Sequence, residues 1–136
     1  MWWLVFAAHA TLMAIDEGIF HRKRFLPRWE RIGHPLDTLS VIIPVSVLYF
    51  LPAQEPLFMV LAIFSCLFVT KDEWVHSEHC EATENWLHAL LFILHPIIFY
   101  ASWKLIRDPF FPAVLVAMGL WGLYQAVYWN GKYGNR

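Results

Sequence analysis

Apolar residues gather in five blocks along the chain, over residues 2–20, 38–53, 56–71, 86–103 and 109–129. The last two approach the roughly 20 helical residues that cross about 30 Å of hydrocarbon. The first three are shorter, and they span only if helix continues past the apolar block or if a polar end faces the bundle interior. Helix is preferred over strand because open strand edges cannot sit in lipid, and the same argument tolerates Pro44, Pro96 and Pro112 inside or beside the blocks. The pattern predicts an all-α fold, a polytopic transmembrane helical bundle of about five spans. Residues 1–136 form a single integral-membrane domain, with four spans and one re-entrant block as the alternative count.

Composition strengthens this reading. Of 136 residues, 59% are hydrophobic, 18% aromatic and 15% charged, and the mean hydropathy is +0.47. Soluble domains run nearer 45–50% apolar and about 25% charged, so lipid is needed to cover much of this surface. The opening Met1-Trp2-Trp3-Leu4 has no basic stretch and argues against a cleaved signal peptide. Two cysteines, Cys66 and Cys80, give no disulfide framework, and Cys66 reads as a small hydrophobe inside an apolar run.

Charge then sets a direction. Arg22, Lys23, Arg24, Arg28 and Arg31 hold half of the ten Lys and Arg residues in one loop. The positive-inside rule places that loop in the cytoplasm and the N-terminus outside. The Pro52-Ala53-Gln54-Glu55-Pro56 turn falls outside, residues 71–85 inside, Lys104 to Asp108 outside, and the tail with Lys132 and Arg136 inside. Trp74, Trp86 and Trp129 then mark the inner interface, and Trp2, Trp3 and Trp103 the outer. The expected location is a plasma membrane, the inner membrane of a bacterium.

This orientation collects chemistry on one face. Five of the seven histidines and most of the acids reach the cytoplasmic ends of four helices. Side chains three or four apart share a helical face. Glu17 and His21 are four apart, His34 and Asp37 three, Asp72 and His76 four, Glu73 and His76 three, His76 and His79 three, and Glu84 and His88 four. Helical bundles build dinuclear sites from such inward carboxylates and imidazoles, and this donor mixture suits iron, manganese or zinc. The candidate metal ligands are Glu17, His21, His34, Asp37, Asp72, Glu73, His76, His79, Glu84 and His88. The competing account treats the acids as solvated interfacial groups, with Arg22 or Arg24 pairing Asp16 or Glu17. Glu78 and Glu81 read as surface residues of that kind.

His95 lies two turns beyond His88 on the same stripe, deeper in the membrane. There an ionisable residue is a functional candidate: a further ligand, a partner behind the ligands, or a donor to a carbonyl freed by Pro96. His9 reads as a packing residue. Tyr124, Gln125 and Tyr128 are placed either to orient ligands or to anchor the interface, and Gly119 and Gly122 to allow close helix contact. No Gly or Pro marks the turn between the third and fourth blocks, yet one helix through both would run about 70 Å at 1.5 Å per residue. A break near residues 79–84 follows.

His76-Ser77-Glu78-His79-Cys80 resembles the His-x-x-His-His box of membrane desaturases and hydroxylases, with cysteine in the last histidine's place. The other boxes of that family have no counterpart here. The ligand style is also similar to that of carboxylate-bridged di-iron bundles. The resemblance implies two transition-metal ions, iron first, with zinc or manganese as alternatives, and an oxygenase, hydroxylase or desaturase acting on a lipid-like substrate. Its partners would be membrane lipid, a hydrophobic small molecule and an electron-donor protein. Zinc-dependent hydrolysis, non-enzymatic metal binding or transport, and two-histidine haem ligation are the alternatives. The chain has no His-Glu-x-x-His zincin motif, no phosphate-binding Gly-rich loop and no serine elbow. Nucleic acid is not expected, because the basic loop more simply meets anionic lipid heads.

Overall fold

A computed structural model of the chain describes residues 1–23 and 26–132. Arg24 and Arg136, both used in the charge argument, lie outside the described residues, as does the side chain of Lys132. Among the described residues, five helices are long and apolar enough to cross a membrane. They mark the chain as an integral membrane protein.

Helix α1 covers Trp2–Ile15 and continues through a π turn, Asp16–Phe20, into His21–Lys23. Helix α2 runs over Arg28–Phe50, and a short 3₁₀ turn, Pro52–Gln54, leads into α3. Helix α3 covers Glu55–Phe68, tightens to 3₁₀ over Val69–Asp72 and ends with Glu73–His79. Helix α4 spans Ala82–Leu105, and α5 spans Phe111–Val127 before a second π turn, Tyr128–Lys132. The short apolar blocks therefore cross by continuing as helix into polar sequence, at the end of α1, the start of α2 and the end of α3. The break between α3 and α4 falls at Cys80 and Glu81, both extended at ψ 146° and 157°, inside the expected window.

Lipid-facing and buried surfaces separate cleanly. Val116, Leu120, Leu123 and Val127 form one stripe on α5, and Val60, Ile63, Phe64 and Leu67 another on α3, each more than half exposed. Apolar stripes of this extent need a hydrocarbon environment. The apolar interior is a cluster of Val41, Val45, Leu48, Phe58, Ala62, Ile98, Phe99 and Phe111. Cys66 packs against it as expected.

Helix α2 lies at the centre, packed against α3 and α5, while α1 packs on α4. Gly122 permits the α2–α5 approach, because a Cβ there would meet Thr38 Cγ2 at 3.1 Å. Gly119 has open space around it and does not serve that purpose. Pro35 has no N–H, so the Arg31 carbonyl one turn back loses its helical donor. Asn130 Nδ2 donates to that carbonyl at 3.0 Å, which ties the π turn of α5 to α2.

Candidate metal centre

The π turn in α1 builds one side of the site. His21 N–H donates to the Asp16 carbonyl five residues back, so the backbone widens and both Asp16 and Glu17 face inward beside His21. Consecutive residues on a regular helix do not share a face, and π turns of this kind recur at functional sites. Asp16, Glu17 and His21 are 5%, 3% and 1% exposed. Their burial deep among helices is costly without charge compensation.

Four histidines from four helices form a row. The rings of His34 and His21 lie 4.5 Å apart, those of His21 and His88 6.3 Å, and those of His88 and His76 4.0 Å and nearly parallel. Carboxylates flank the row. His88 Nε2 sits 3.0 Å from Asp16 Oδ1. His21 Nε2 sits 3.3 Å from Asp16 Oδ2 and 3.8 Å from Glu84 Oε1, while its Nδ1 lies 3.6 Å from Glu17 Oε2. His21 thus turns Nε2 toward two carboxylates, Asp16 and Glu84, and Nδ1 toward a third, Glu17. Glu30, fully buried, brings Oε1 to 4.0 Å from His76 Nε2.

Donor atoms close enough to share an ion fall into overlapping sets. Asp16, His21, Glu84 and His88 have ligand atoms within 4.8 Å of one another, and all four are buried. Glu17, His21 and His34 form a second such set, and His76, Cys80 and His88 a third. His34 Nε2 and His88 Nδ1 are enclosed without a hydrogen-bond partner among the described residues, although buried polar atoms are normally paired. Two adjacent sets share His21.

Supporting residues fix Glu17. Gln125 Nε2 donates to Glu17 Oε1 at 2.6 Å and Trp129 Nε1 donates to Oε2 at 2.5 Å. Thr38 Oγ1 in turn donates to Gln125 Oε1 at 2.6 Å, which sets the direction of the amide. Such contacts behind a ligand hold its orientation. The described partners of Asp16 and Glu17 are histidines, Gln125 and Trp129, and Arg22 lies over the Tyr128 ring at 5.5 Å. The arginine pairing of the competing account does not occur within the described residues.

Of the residues singled out in the sequence, Glu17, His21, His34, His76, Glu84 and His88 come together. Asp37 and Asp72 approach His34 as a further set, but Lys71 Nζ already lies between them, 2.5 Å from Asp37 Oδ1 and 3.1 Å from Asp72 Oδ1. Glu73 and His79 are exposed and stand outside every set. Trp129, expected at the membrane interface, is buried against Glu17 instead, while Trp74 and Trp86 remain exposed. Asp16 and Glu30 were not among the expected ligands. Glu30 had a visible signal, since Glu30-x-x-x-His34 repeats the spacing of Glu17–His21 and Glu84–His88. Asp16 had none at regular helical spacing, because the π turn is what brings it inward.

A cavity of about 350 Å³ opens beside the row. Asp16, Glu17, His34, Asp37, Asp72, His76, His88 and Gln125 line it, His9 and His95 line it too, and Met13, Val41, Phe92, Ile98, Val114 and Met118 are among its apolar lining residues. No lysine or arginine is among its described lining residues. Comparison with protein-family models, with curated proteins and with solved structures finds no match.

Proposed function

We propose that the chain is a membrane-embedded dinuclear metalloprotein, with iron as the favoured metal, that oxidises a hydrocarbon substrate held between its helices. The observation that carries this reading is the shared cavity: it is lined by imidazoles and carboxylates of the row and by many apolar side chains, with His9 and His95 as further polar groups. Asp16, Glu17, His21, Glu84 and His88 would hold the ions, with His34, His76 and Glu30 completing the set. Carboxylate–imidazole sets of this kind suit iron and hold di-iron pairs in helical bundles. The metals would supply oxygen activation, and the protein supplies position and a dry, shaped cavity.

The reaction balances with an external reductant. One atom of O₂ enters a C–H bond and the other leaves as water, using two electrons and two protons from an electron-donor protein. A desaturase outcome removes two hydrogens and yields two waters from the same inputs. Gln125 and Trp129 keep Glu17 in place, and the apolar lining excludes competing solvent.

Two observations weigh against the alternatives. Hydrolysis of a charged lipid would call for cationic groups near the head, and the described cavity lining has none. A transport path needs ionisable groups through the full depth, and here they stop at His9 and His95, beyond which Val45, Phe58, Phe99 and Phe111 close the bundle. The test is turnover in detergent with O₂, a reductant and a panel of apolar substrates, scored for hydroxylated or desaturated product. Product that disappears on chelation and returns with Fe²⁺ supports the proposal. Activity restored by Zn²⁺ alone, with hydrolysed product, would overturn it.

A further inference from the structure

His95 is 7% exposed, lines the cavity and takes no part in the metal sets. Its Nε2 lies 2.9 Å from Ser65 Oγ, Ser65 Oγ lies 2.8 Å from Ser40 Oγ, and Ser40 Oγ donates to the Asp37 carbonyl at 2.7 Å. Ser65 itself is completely buried. The chain ends on a carbonyl, which can only accept. Each hydroxyl has one proton to give. Ser40 spends its proton on the carbonyl, so it accepts from Ser65, and Ser65 in turn accepts from His95. The donor to Ser65 is therefore His95 Nε2–H. In the neutral ring the other nitrogen, Nδ1, is then a bare acceptor. No described hydrogen bond uses Nδ1, and it is not among the fully enclosed polar atoms that lack a partner.

We infer that His95 Nδ1 is the anchor for a hydroxyl group at one end of an otherwise apolar ligand, so that the cavity binds a long-chain or isoprenoid alcohol. The inference names the substrate class of the site proposed above and rests on that reading only for the chemistry, not for the binding. His95 stands seven residues beyond His88 on α4, about 10 Å along the helix axis at 1.5 Å per residue. The hydroxyl end is thus held away from the metal row, and a carbon further along the chain faces it. The cavity volume of about 350 Å³ falls within the range of small-molecule sites. A site built to accept a hydrogen bond discriminates strongly against analogues that lack the donor. His9 lines the same space and contributes polarity without a described hydrogen bond to His95.

The experiment measures equilibrium binding of dodecan-1-ol, its methyl ether and dodecane to detergent-purified protein, with metal content recorded on the same samples. The alcohol is expected to bind at least about tenfold tighter than the ether, a difference of ~1.4 kcal/mol. H95F removes that preference while leaving binding of dodecane and metal content unchanged. S65A frees the ring from its imposed tautomer and narrows the same ratio. Equal binding of alcohol and ether, a preference for the ether, no binding of either, or a ratio untouched by H95F would overturn the inference. Alcohol-selective binding by protein devoid of transition metal would sink the proposed oxidation and leave the anchor standing.

Discussion

Two acidic clusters sit side by side at the histidine end of the bundle, with His34 on the border between them, and they balance charge differently. Asp37 and Asp72 are bridged by Lys71, whose ammonium lies within 3.1 Å of both. Asp16 and Glu17 face His21, His88, Gln125 and Trp129, with no lysine or arginine among their described partners. The first cluster carries its own cation, while Asp72 Oδ1 keeps no hydrogen bond among the described residues. The second presents carboxylates to a row of imidazoles, two of which keep a nitrogen without a hydrogen bond among the described residues. A buried carboxylate without a counter-charge is expensive, and on the proposed reading a bound cation supplies that charge in the second cluster.

The contrast is broken most severely by removing a ligand. D16A and H88A are expected to lower metal affinity by more than the roughly 10–100-fold typical of a supporting contact, leaving purified protein close to metal-free. Elemental analysis of the two variants checks this, and full occupancy in both would refute the ligand assignment. Q125L comes next. It removes the donor to Glu17 Oε1 and strands the Thr38 hydroxyl, and a loss of about 10–100-fold in metal affinity follows, measured by competition with a chelator of known affinity.

Lys71 sharpens the comparison from the other side. K71M leaves two adjacent carboxylates without their cation, which should cost about 1–3 kcal/mol while metal content stays unchanged. The readout is the thermal midpoint in detergent, set beside elemental analysis of the same sample. If K71M empties the metal centre, the two clusters are one unit and the distinction fails. The smallest effect belongs to E73A. Glu73 is exposed and outside the donor sets, so its loss should shift stability by no more than about 0.5 kcal/mol and leave metal binding intact.

The same contrast shows what could be read from the chain. The five spans were legible, because lipid demands long apolar helices and the blocks record them directly. The Cys80–Glu81 break followed from length alone. Glu17, His21, Glu84 and His88 were legible because regular four-residue spacing puts them on one face. The rest depended on features that regular periodicity does not encode. Asp16 turns inward through a π turn. Lys71 reaches between Asp37 and Asp72 through a 3₁₀ segment that tightens the end of α3. Trp129 reads as an interface anchor by residue type, but it is buried, donating to Glu17 and lying edge-on to His21. His76, His79 and Cys80 formed the most family-like motif in the chain, yet His79 turns outward and Glu30, from another helix, stands by His76 instead.

The proposed function depends on metal held by the Asp16–Glu17–His21–His88 cluster. The most direct measurement is the transition-metal content of detergent-purified, unmodified protein expressed in iron-supplemented medium. About two iron ions per chain are expected, as in dinuclear helical bundles. Protein that is folded, monodisperse and free of transition metal, even after anaerobic incubation with Fe²⁺, would contradict it.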